Sequence, residues 1–521
     1  MTVIRSKYRI GLVYVPGSLP SFEEFGFLPT DLVTKNGRVK GKPASEVLDM
    51  LIIPGGSLVE SGCIGKSLSH EIIRMAETGK LVLGVCAGFQ VLARCTDVGR
   101  LSPTPIFKKG LGLIDAEFSP LVCTDRVTAT VVGKSFLTDD VGLKVKGFHC
   151  HTYGNITLKG EARSVLISHV RRLNYRNNPK EIVSGASNKE GNVVGVLLHA
   201  LLDENPAIIE GIRNSLGASP EELEAIRKAN AALRAKIKSE LGISTGINLT
   251  LNNQKSSFPS CLLFTATGSG AGKTFIITGV AGALKRSGVD VGVLKVGGDV
   301  RDIVPAFYLI KEPMKPYSSI RIGESGWKPV EEAIYIAGAD YSLLLIEGAM
   351  GDLTGLLNEG GEHPLSTAEV ALMVNAPVVL IIGCDKGGIE GAIADAVSHI
   401  KLLRELGVNV AGVILNKLRL SYMTDEIKRL IDQAFRRLDV ILLGAIPRME
   451  LEDRGMTPEV EIRYEDFCAR ALETAEKYVN LTELLRLARP PRITKVDFKS
   501  IVFKFKDLLT DGSWVKGDEK R

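Results

Sequence analysis

The sequence predicts an α/β protein of two doubly wound domains, and three observations carry that reading. Short β-branched runs alternate with helical stretches over residues 8–205 and again over 258–465. A glycine-rich turn ending Gly272-Lys273-Thr274 follows an apolar strand near the middle of the chain. Between the two stretches lies a helix with clear start signals. Near-continuous apolar strands separated by helices are the pattern of parallel sheets covered on both faces.

Taken in order, the strands of the first stretch are read at 8–15, 50–53, 81–85 and 193–198. The connecting helix starts with Ser219 as N-cap, Pro220 at the first helical position and Glu222 three residues after the cap, and it is read to 241. Residues 244–259 are polar and glycine-containing, as a linker requires. The second stretch has strands at 261–265, 289–296, 341–346, 377–382, 410–415 and 440–445, and a closing helix over 465–487. Beyond Pro490 the tail is basic and irregular, with one docked strand or helix expected. The expected division is a first domain over 1–215, a helix and linker over 216–259, a second domain over 260–490 and a tail over 491–521.

Composition excludes several function classes. The chain has 521 residues, is 45% hydrophobic and 24% charged, and carries a formal net charge of +5. That small excess gives no argument for a nucleic-acid partner. No apolar run reaches the roughly 18–20 uncharged residues of a membrane span, and the start of the chain lacks a signal-peptide core. The eight cysteines contain no C-x-x-C pair. That favours reduced thiols in a cytoplasmic protein.

The run Thr267-Gly268-Ser269-Gly270-Ala271-Gly272-Lys273-Thr274 has the layout of a phosphate-binding loop. Small residues let the backbone N–H groups point at phosphate oxygens, the lysine adds positive charge near the β/γ-phosphates, and the threonine hydroxyl is placed to ligate Mg²⁺. Later strands end in Lys295, Asp299 and Glu347. Strand C-terminal ends share one edge of a parallel sheet, so these should converge on the phosphates of ATP. Thr274, Asp299 and Glu347 are the expected Mg²⁺ ligands, and Lys295 the catalytic lysine. Asn416, at a further strand end, is placed to hydrogen-bond a purine edge.

These residues resemble a family. The loop is similar to the T-x-S-G-x-G-K-T of the cobyrinic acid a,c-diamide synthase and dethiobiotin synthetase group. Lys295-Val296-Gly297-Gly298-Asp299 with Asp302 resembles the K-x-G-P-D-x-x-D of the diamide synthases, with Gly298 in place of proline. Glu347-Gly348-Ala349-Met350-Gly351 resembles their E-G-x-M-G. The resemblance implies a P-loop ATPase domain with a mostly parallel sheet over about 260–487.

In the first half, Gly84-Val85-Cys86-Ala87-Gly88-Phe89-Gln90 places a cysteine after a strand and before a helix. Such an elbow exposes the sulfur, and a helix N-terminus favours the thiolate. The N–H of Ala87 and those of Gly55 and Gly56, which end an earlier strand, are candidate oxyanion donors. His199, ending a late strand, is the candidate base. This half resembles a class I glutamine amidotransferase of the cobyric and cobyrinic acid synthase type, a flavodoxin-like fold, with Gly110-Leu111-Gly112-Leu113-Ile114-Asp115 also matching. By that resemblance Cys86 attacks glutamine, His199 moves the proton and Gln90 helps hold the substrate. Phe148-His149-Cys150-His151 resembles the family's Y-E-x-H with His149 in place of the glutamate. The His149/His151 pair also raises the question of a metal. In many related amidotransferases an orienting carboxylate follows two residues after the histidine; Leu201 stands there, with Asp203 and Glu204 just beyond. No third triad member is evident.

The resemblance implies an ATP-dependent, glutamine-hydrolysing amidoligase. A corrinoid or related tetrapyrrole carboxylate is the small-molecule acceptor, cobyrinic acid first, with cobyric acid synthesis and nickel-sirohydrochlorin amidation as alternatives. The domains stand in the reverse of the diamide synthase order. Ammonia should pass to the acyl phosphate within the protein, in one chain or across a homodimer. A rival of another class is a partition-type ATPase switch. Those carry a signature lysine five residues before the loop lysine, where this chain has Gly268. A third reading, a degenerate amidotransferase serving as a regulator, is opposed by the presence of both Cys86 and His199.

Overall fold

The computed structural model describes residues 7–242, 258–358, 362–419, 421, 423–449 and 463–511. The chain divides into two compact units; of the described residues the first takes those up to Glu240 together with Lys311–Met314 and 463–466, and the second takes the rest. The expected linker lies outside the described residues apart from its last two positions, as do the final ten residues of the tail.

The first unit is built on a nine-stranded sheet. Its parallel part runs Val193–Val196, Leu81–Val85, Met50–Ile53, Ile10–Val13, Asp31–Val33 across the sheet. Alternate residues on these strands enter opposite cores: Ile10, Leu12, Met50, Ile52, Leu83 and Val85 on one face, Val13, Leu51, Ile53 and Val82 on the other. Both faces are covered, which is why the strands are uninterrupted in their apolar character.

The remaining four strands add an antiparallel part to the doubly wound sheet that the apolar strands predict. Lys144–Phe148, Arg126–Val131, Arg163–Leu173 and Arg176–Ser187 extend the sheet antiparallel. The two long strands meet at a two-residue turn in which Asn174 and Tyr175 both have positive φ, 49° and 66°. That backbone twist matches the twist of a hairpin. The sequence carries no Asn-Gly signal there, so the turn is hard to read. A separate four-stranded sheet, Asn155–Leu158, Ala116–Ser119, Cys95–Asp97, Phe107–Lys109, completes the unit.

The connecting helix is Pro220–Ser239, with the capping box the sequence predicts: Glu222 N donates to Ser219 Oγ at 3.2 Å and Ser219 N to Glu222 Oε2 at 2.7 Å. Its Leu223 and Ile226 join the core that includes Ile10 and Phe25, and Asn230 donates to the Pro29 carbonyl.

The second unit holds a seven-stranded sheet with every pairing parallel, in the order Ser319–Ile320, Val291–Val296, Leu343–Glu347, Ser260–Ala266, Val378–Gly383, Val410–Leu418, Ile441–Pro447. The strand feeding the glycine-rich loop is central, so the loop opens at the sheet's C-terminal edge between two neighbours. The closing helix read over 465–487 is two helices, Tyr464–Tyr478 and Leu481–Leu487, because Asn480 caps the second through its side chain. In the tail the docked element is the helix Phe498–Asp511, whose Phe498, Val502, Phe505 and Leu508 are buried at helical spacing. No helix of the described residues is long and apolar enough to cross a membrane.

Candidate functional site

Cys86 sits between the strand Leu81–Val85 and the helix Ala87–Leu92, at φ 52° and ψ −108°. A non-glycine residue in that region is strained, and such strain concentrates at functional turns. Ala87 opens the helix, so its N–H belongs to the first turn, where no intrahelical acceptor exists. Gly55 lies beside both reacting groups: a Cβ placed on it would be 3.0 Å from His199 Cε1 and 3.5 Å from Cys86 Cβ. Gly56 has φ 136°, and a Cβ there would be 2.0 Å from the Gly17 carbonyl oxygen. Gly56→Ala should therefore destabilise the first unit by on the order of 3 kcal/mol or more. Thermal and urea unfolding of the variant would measure this, and a wild-type midpoint would show that the turn relaxes freely.

His199 is 2% exposed. Phe148 stacks on its ring and Phe22 meets it edge-on, both at 5.2 Å between centroids. Its Nδ1 lies 2.5 Å from Glu23 Oε1, and the other carboxylate oxygen accepts the Ala200 N–H at 2.7 Å. Glu23, 3% exposed, comes from the loop after the first strand, 176 residues earlier in the chain. Burial disfavours the imidazolium, but the charge of Glu23 and hydrogen bonds to Cys86 and Glu23 outweigh it and push the His199 pKa up to about 10.

Glu23 is not among the carboxylates that the sequence suggests, which all follow His199. Leu201 is core. Asp203 accepts the N–H groups of Glu24 at 2.9 Å and Gly26 at 2.7 Å, and Glu204 pairs with Arg126. Burial, with repulsion from Glu23, pushes Asp203 up to about 7. One signal was available: a glutamate inside an otherwise apolar loop, Phe22-Glu23-Glu24-Phe25.

Gln90 is buried, with Nε2 donating to the Tyr153 carbonyl at 3.4 Å. His149 and His151 form a hydrogen-bonded pair, Nδ1 to Nε2 at 3.1 Å, and His151 reaches the Leu121 carbonyl with its other nitrogen. Burial, then the neighbouring His151 and His199, holds His149 well below the usual imidazole range. Among the described residues no group of three or more His, Cys, Asp or Glu is arranged to hold a metal.

In the second unit the loop from Thr267 and Gly268 through Ser269, Gly270 and Ala271 to Gly272 leads into the helix Lys273–Arg286. Lys273 Nζ donates to the Met350 carbonyl, and Thr274 Oγ1 donates to Glu347 Oε1 at 2.9 Å. Lys295 bridges Asp302 at 2.7 Å, Glu347 at 3.3 Å and the Gly348 carbonyl at 3.2 Å. Burial opposes its charge, and the three carboxylates Glu347, Asp302 and Asp299 raise its pKa above the usual lysine range. Burial raises Glu347 as well, against the pull of Lys295.

Glu347 is 1% exposed, and its Oε2 is buried with no hydrogen-bond partner among the described residues. An orphaned carboxylate oxygen beside a loop threonine fits a hard divalent cation such as Mg²⁺. Asp299 differs from the expectation. Both its oxygens are held by the Arg301 guanidinium, at 2.8 Å each, and that pairing holds its carboxyl below the usual range despite burial. Asn416 also differs. Its amide donates to the Ala271 carbonyl at 2.8 Å and its oxygen accepts the Lys417 N–H, so it braces the phosphate loop from inside. Gly272, at φ 95°, permits this approach: a Cβ there would be 2.3 Å from Asn416 Nδ2.

Residues 10–207 match the CobB/CobQ-like glutamine amidotransferase domain, and residues 262–457 match the CobQ/CobB/MinD/ParA nucleotide binding domain. One of these matches lies in each half of the chain. Among curated proteins, it is 35% identical over 211 residues to hydrogenobyrinate a,c-diamide synthase of Mycobacterium bovis, covering 39% of this chain and 44% of that one. It is 31% identical over 233 residues to cobyrinate a,c-diamide synthase of Streptococcus sanguinis, covering 43% and 48%. It is 32% identical over 197 residues to cobyric acid synthase of Alkaliphilus metalliredigens, covering 36% and 37%. The chain thus spans less than half the length of these relatives. Cys86, Glu23 and His199 lie in the amidotransferase domain, and the phosphate loop, Lys295 and Glu347 in the nucleotide binding domain.

Proposed function

We propose that the chain is an ATP-dependent, glutamine-hydrolysing amidoligase acting on a corrinoid or related tetrapyrrole carboxylate, with cobyrinic acid the first candidate. One observation carries this reading: an amidotransferase domain with a buried Cys86–His199 pair and a nucleotide binding domain with an assembled phosphate loop occur on one polypeptide. The names of the relatives point to the same substrate class.

In the amidotransferase domain Cys86 Sγ attacks the glutamine side-chain carbonyl carbon. The oxyanion is stabilised by the N–H of Ala87 and those of Gly55 and Gly56, while Gln90 helps hold the substrate. His199 gives a proton to the departing ammonia. Water then cleaves the thioester, His199 taking its proton, and glutamate leaves.

In the nucleotide binding domain an oxygen of the acceptor carboxylate displaces ADP from the γ-phosphoryl group of ATP. This step is needed because a free carboxylate is a poor electrophile. Ammonia attacks the resulting acyl phosphate and phosphate leaves. Lys273 and Lys295 offset the phosphoryl charge. Thr274 and Glu347 would hold Mg²⁺, whose charge would favour the nucleotide's phosphates; Asp299, tied to Arg301, is assigned no ligand role. Asn416 acts on the nucleotide through the loop it braces.

The segment from Lys295 to Asp302 favours an a,c-diamide type of acceptor over the cobyric type, and the glycine at 268 speaks against a partition-type switch. The test is incubation with ATP, glutamine and a panel of tetrapyrrole carboxylates, read by mass spectrometry. An amide product that requires both ATP and glutamine is expected. ATP turnover with every acceptor unchanged would sink the reading.

A further inference from the structure

We propose that Glu23 is the positioning carboxylate of the glutamine-hydrolysing site, supplied from the loop after the first strand rather than from the residues following the histidine. The inference rests on the amidotransferase reading and adds a residue to it.

Three observations support it. Glu23 Oε1 lies 2.5 Å from His199 Nδ1, on the ring nitrogen opposite to Nε2, the nitrogen nearer Gly55. A carboxylate accepting from Nδ1–H fixes the tautomer that leaves Nε2 to exchange protons with the sulfur and the leaving group. The pair is sealed: both residues are at most 3% exposed, between the rings of Phe22 and Phe148. A buried charge of this kind persists only when it is paired and hydrogen-bonded, and the second oxygen of Glu23 is satisfied by the Ala200 N–H.

The third observation is that the loop is held from both sides in a conformation it would not adopt alone. Phe25, Gly26 and Phe27 all have positive φ, at 50°, 63° and 59°. On one side Asp203, four residues after His199, accepts the N–H groups of Glu24 and Gly26. On the other, Arg234 of the connecting helix donates to the Glu23 carbonyl at 3.2 Å and pairs with Glu24 at 2.6 Å. Strain is retained where the surroundings over-determine it. Here its product is one carboxylate placed on one imidazole nitrogen. Asp203, which stands close to where an orienting acid is usual, acts one step removed: it holds the loop that brings the acid.

The other charged and titratable groups facing this pair are Cys86, His149, Asp203, Glu24 and Arg234. Replacing Glu23 by glutamine removes the charge that holds His199 in its protonated form. The imidazolium should then lose its proton at lower pH, and the alkaline limb of glutamine hydrolysis should move down in pH. Rate should fall on the order of 10²-fold, within the range of a positioned acid–base group.

The experiment uses the full chain with ATP and acceptor present. It measures kcat and KM for glutamine hydrolysis against pH in the wild type, Glu23→Gln and Glu23→Asp, with ammonium-dependent synthesis and thermal unfolding alongside. The expected result is a kcat loss and a downward-shifted alkaline limb in Glu23→Gln, partial recovery in Glu23→Asp, unchanged ammonium-dependent synthesis, and loss of the far-downfield Nδ1 proton resonance of His199. An unshifted limb at unchanged kcat, or a lower amplitude with the wild-type pH profile, would overturn the assignment, since a merely structural role predicts the latter. A wild type that hydrolyses no glutamine would overturn the amidotransferase reading itself, and that outcome is visible without any variant.

Discussion

Cys86→Ala should abolish glutamine-dependent synthesis and leave synthesis from ammonium. That is the largest effect expected of any single substitution, because in the proposed mechanism the thiol forms a covalent bond for which alanine offers no substitute. Removing a catalytic nucleophile typically costs on the order of 10⁴-fold or more. The backbone argument strengthens the comparison. Cys86 holds φ 52° at the turn, and alanine carries the same Cβ, so the elbow keeps its shape while losing only sulfur. In the proposed function the acceptor and nucleotide are handled by residues of the other unit, so an ammonium-supplied reaction should bypass the lesion. Product formation with glutamine and with ammonium, measured side by side, checks both halves of the statement. Glutamine-dependent synthesis at the wild-type rate would remove Cys86 from the site.

The second large effect belongs to Lys273→Ala and Glu347→Gln, which should lose activity with either nitrogen donor. Lys273 is the phosphate-loop lysine, and its ammonium is buried where burial and the nearby Lys295 already lower its pKa. An anionic phosphate would relieve both. Glu347 is bound by Thr274 and Lys295 and keeps one oxygen without a partner among the described residues. Each contact strengthens as charge moves during phosphoryl transfer, so losing one should cost on the order of 10²–10³ in rate. Glu347→Gln is close to isosteric, which keeps the test on charge. Ammonium-dependent synthesis at the wild-type rate in both variants contradicts phosphoryl transfer at this loop.

Much of the framework is legible because local and long-range signals agree. The strands Met50–Ile53 and Leu81–Val85 begin and end where their β-branched runs do, since both faces are buried. The connecting helix starts at Ser219 because its cap is a local hydrogen-bond event, visible in four residues. Cys86 and the phosphate loop are legible for a similar reason: each is a short segment whose backbone shape demands small residues.

What is not legible depends on chain segments far apart in sequence. Glu23 meets His199 across 176 residues, through a loop in which two of three successive positive-φ residues are phenylalanines that give no turn signal. Asp299 sits at the expected strand end, but Arg301 two residues on captures it, a competition that strand-edge reasoning does not weigh. Asn416 points back at its own phosphate loop because Gly272 leaves room for the amide, and that room exists only once the two strand ends are side by side. The antiparallel part of the first sheet is not legible because its hairpin turns on Asn174-Tyr175 rather than on glycine.

The central claim is that one polypeptide moves glutamine nitrogen onto a carboxylate activated by ATP. The most direct measurement supplies glutamine with a heavy isotope in its amide nitrogen, ATP, and cobyrinic acid with heavy oxygen in its carboxylates, and follows both labels by mass spectrometry. The account predicts that the heavy nitrogen appears in the product amide and that one heavy oxygen per amide formed appears in the released phosphate, as an acyl phosphate requires. Amide formation with the heavy oxygen absent from phosphate, or glutamine consumed with no heavy nitrogen in the acceptor, would contradict it.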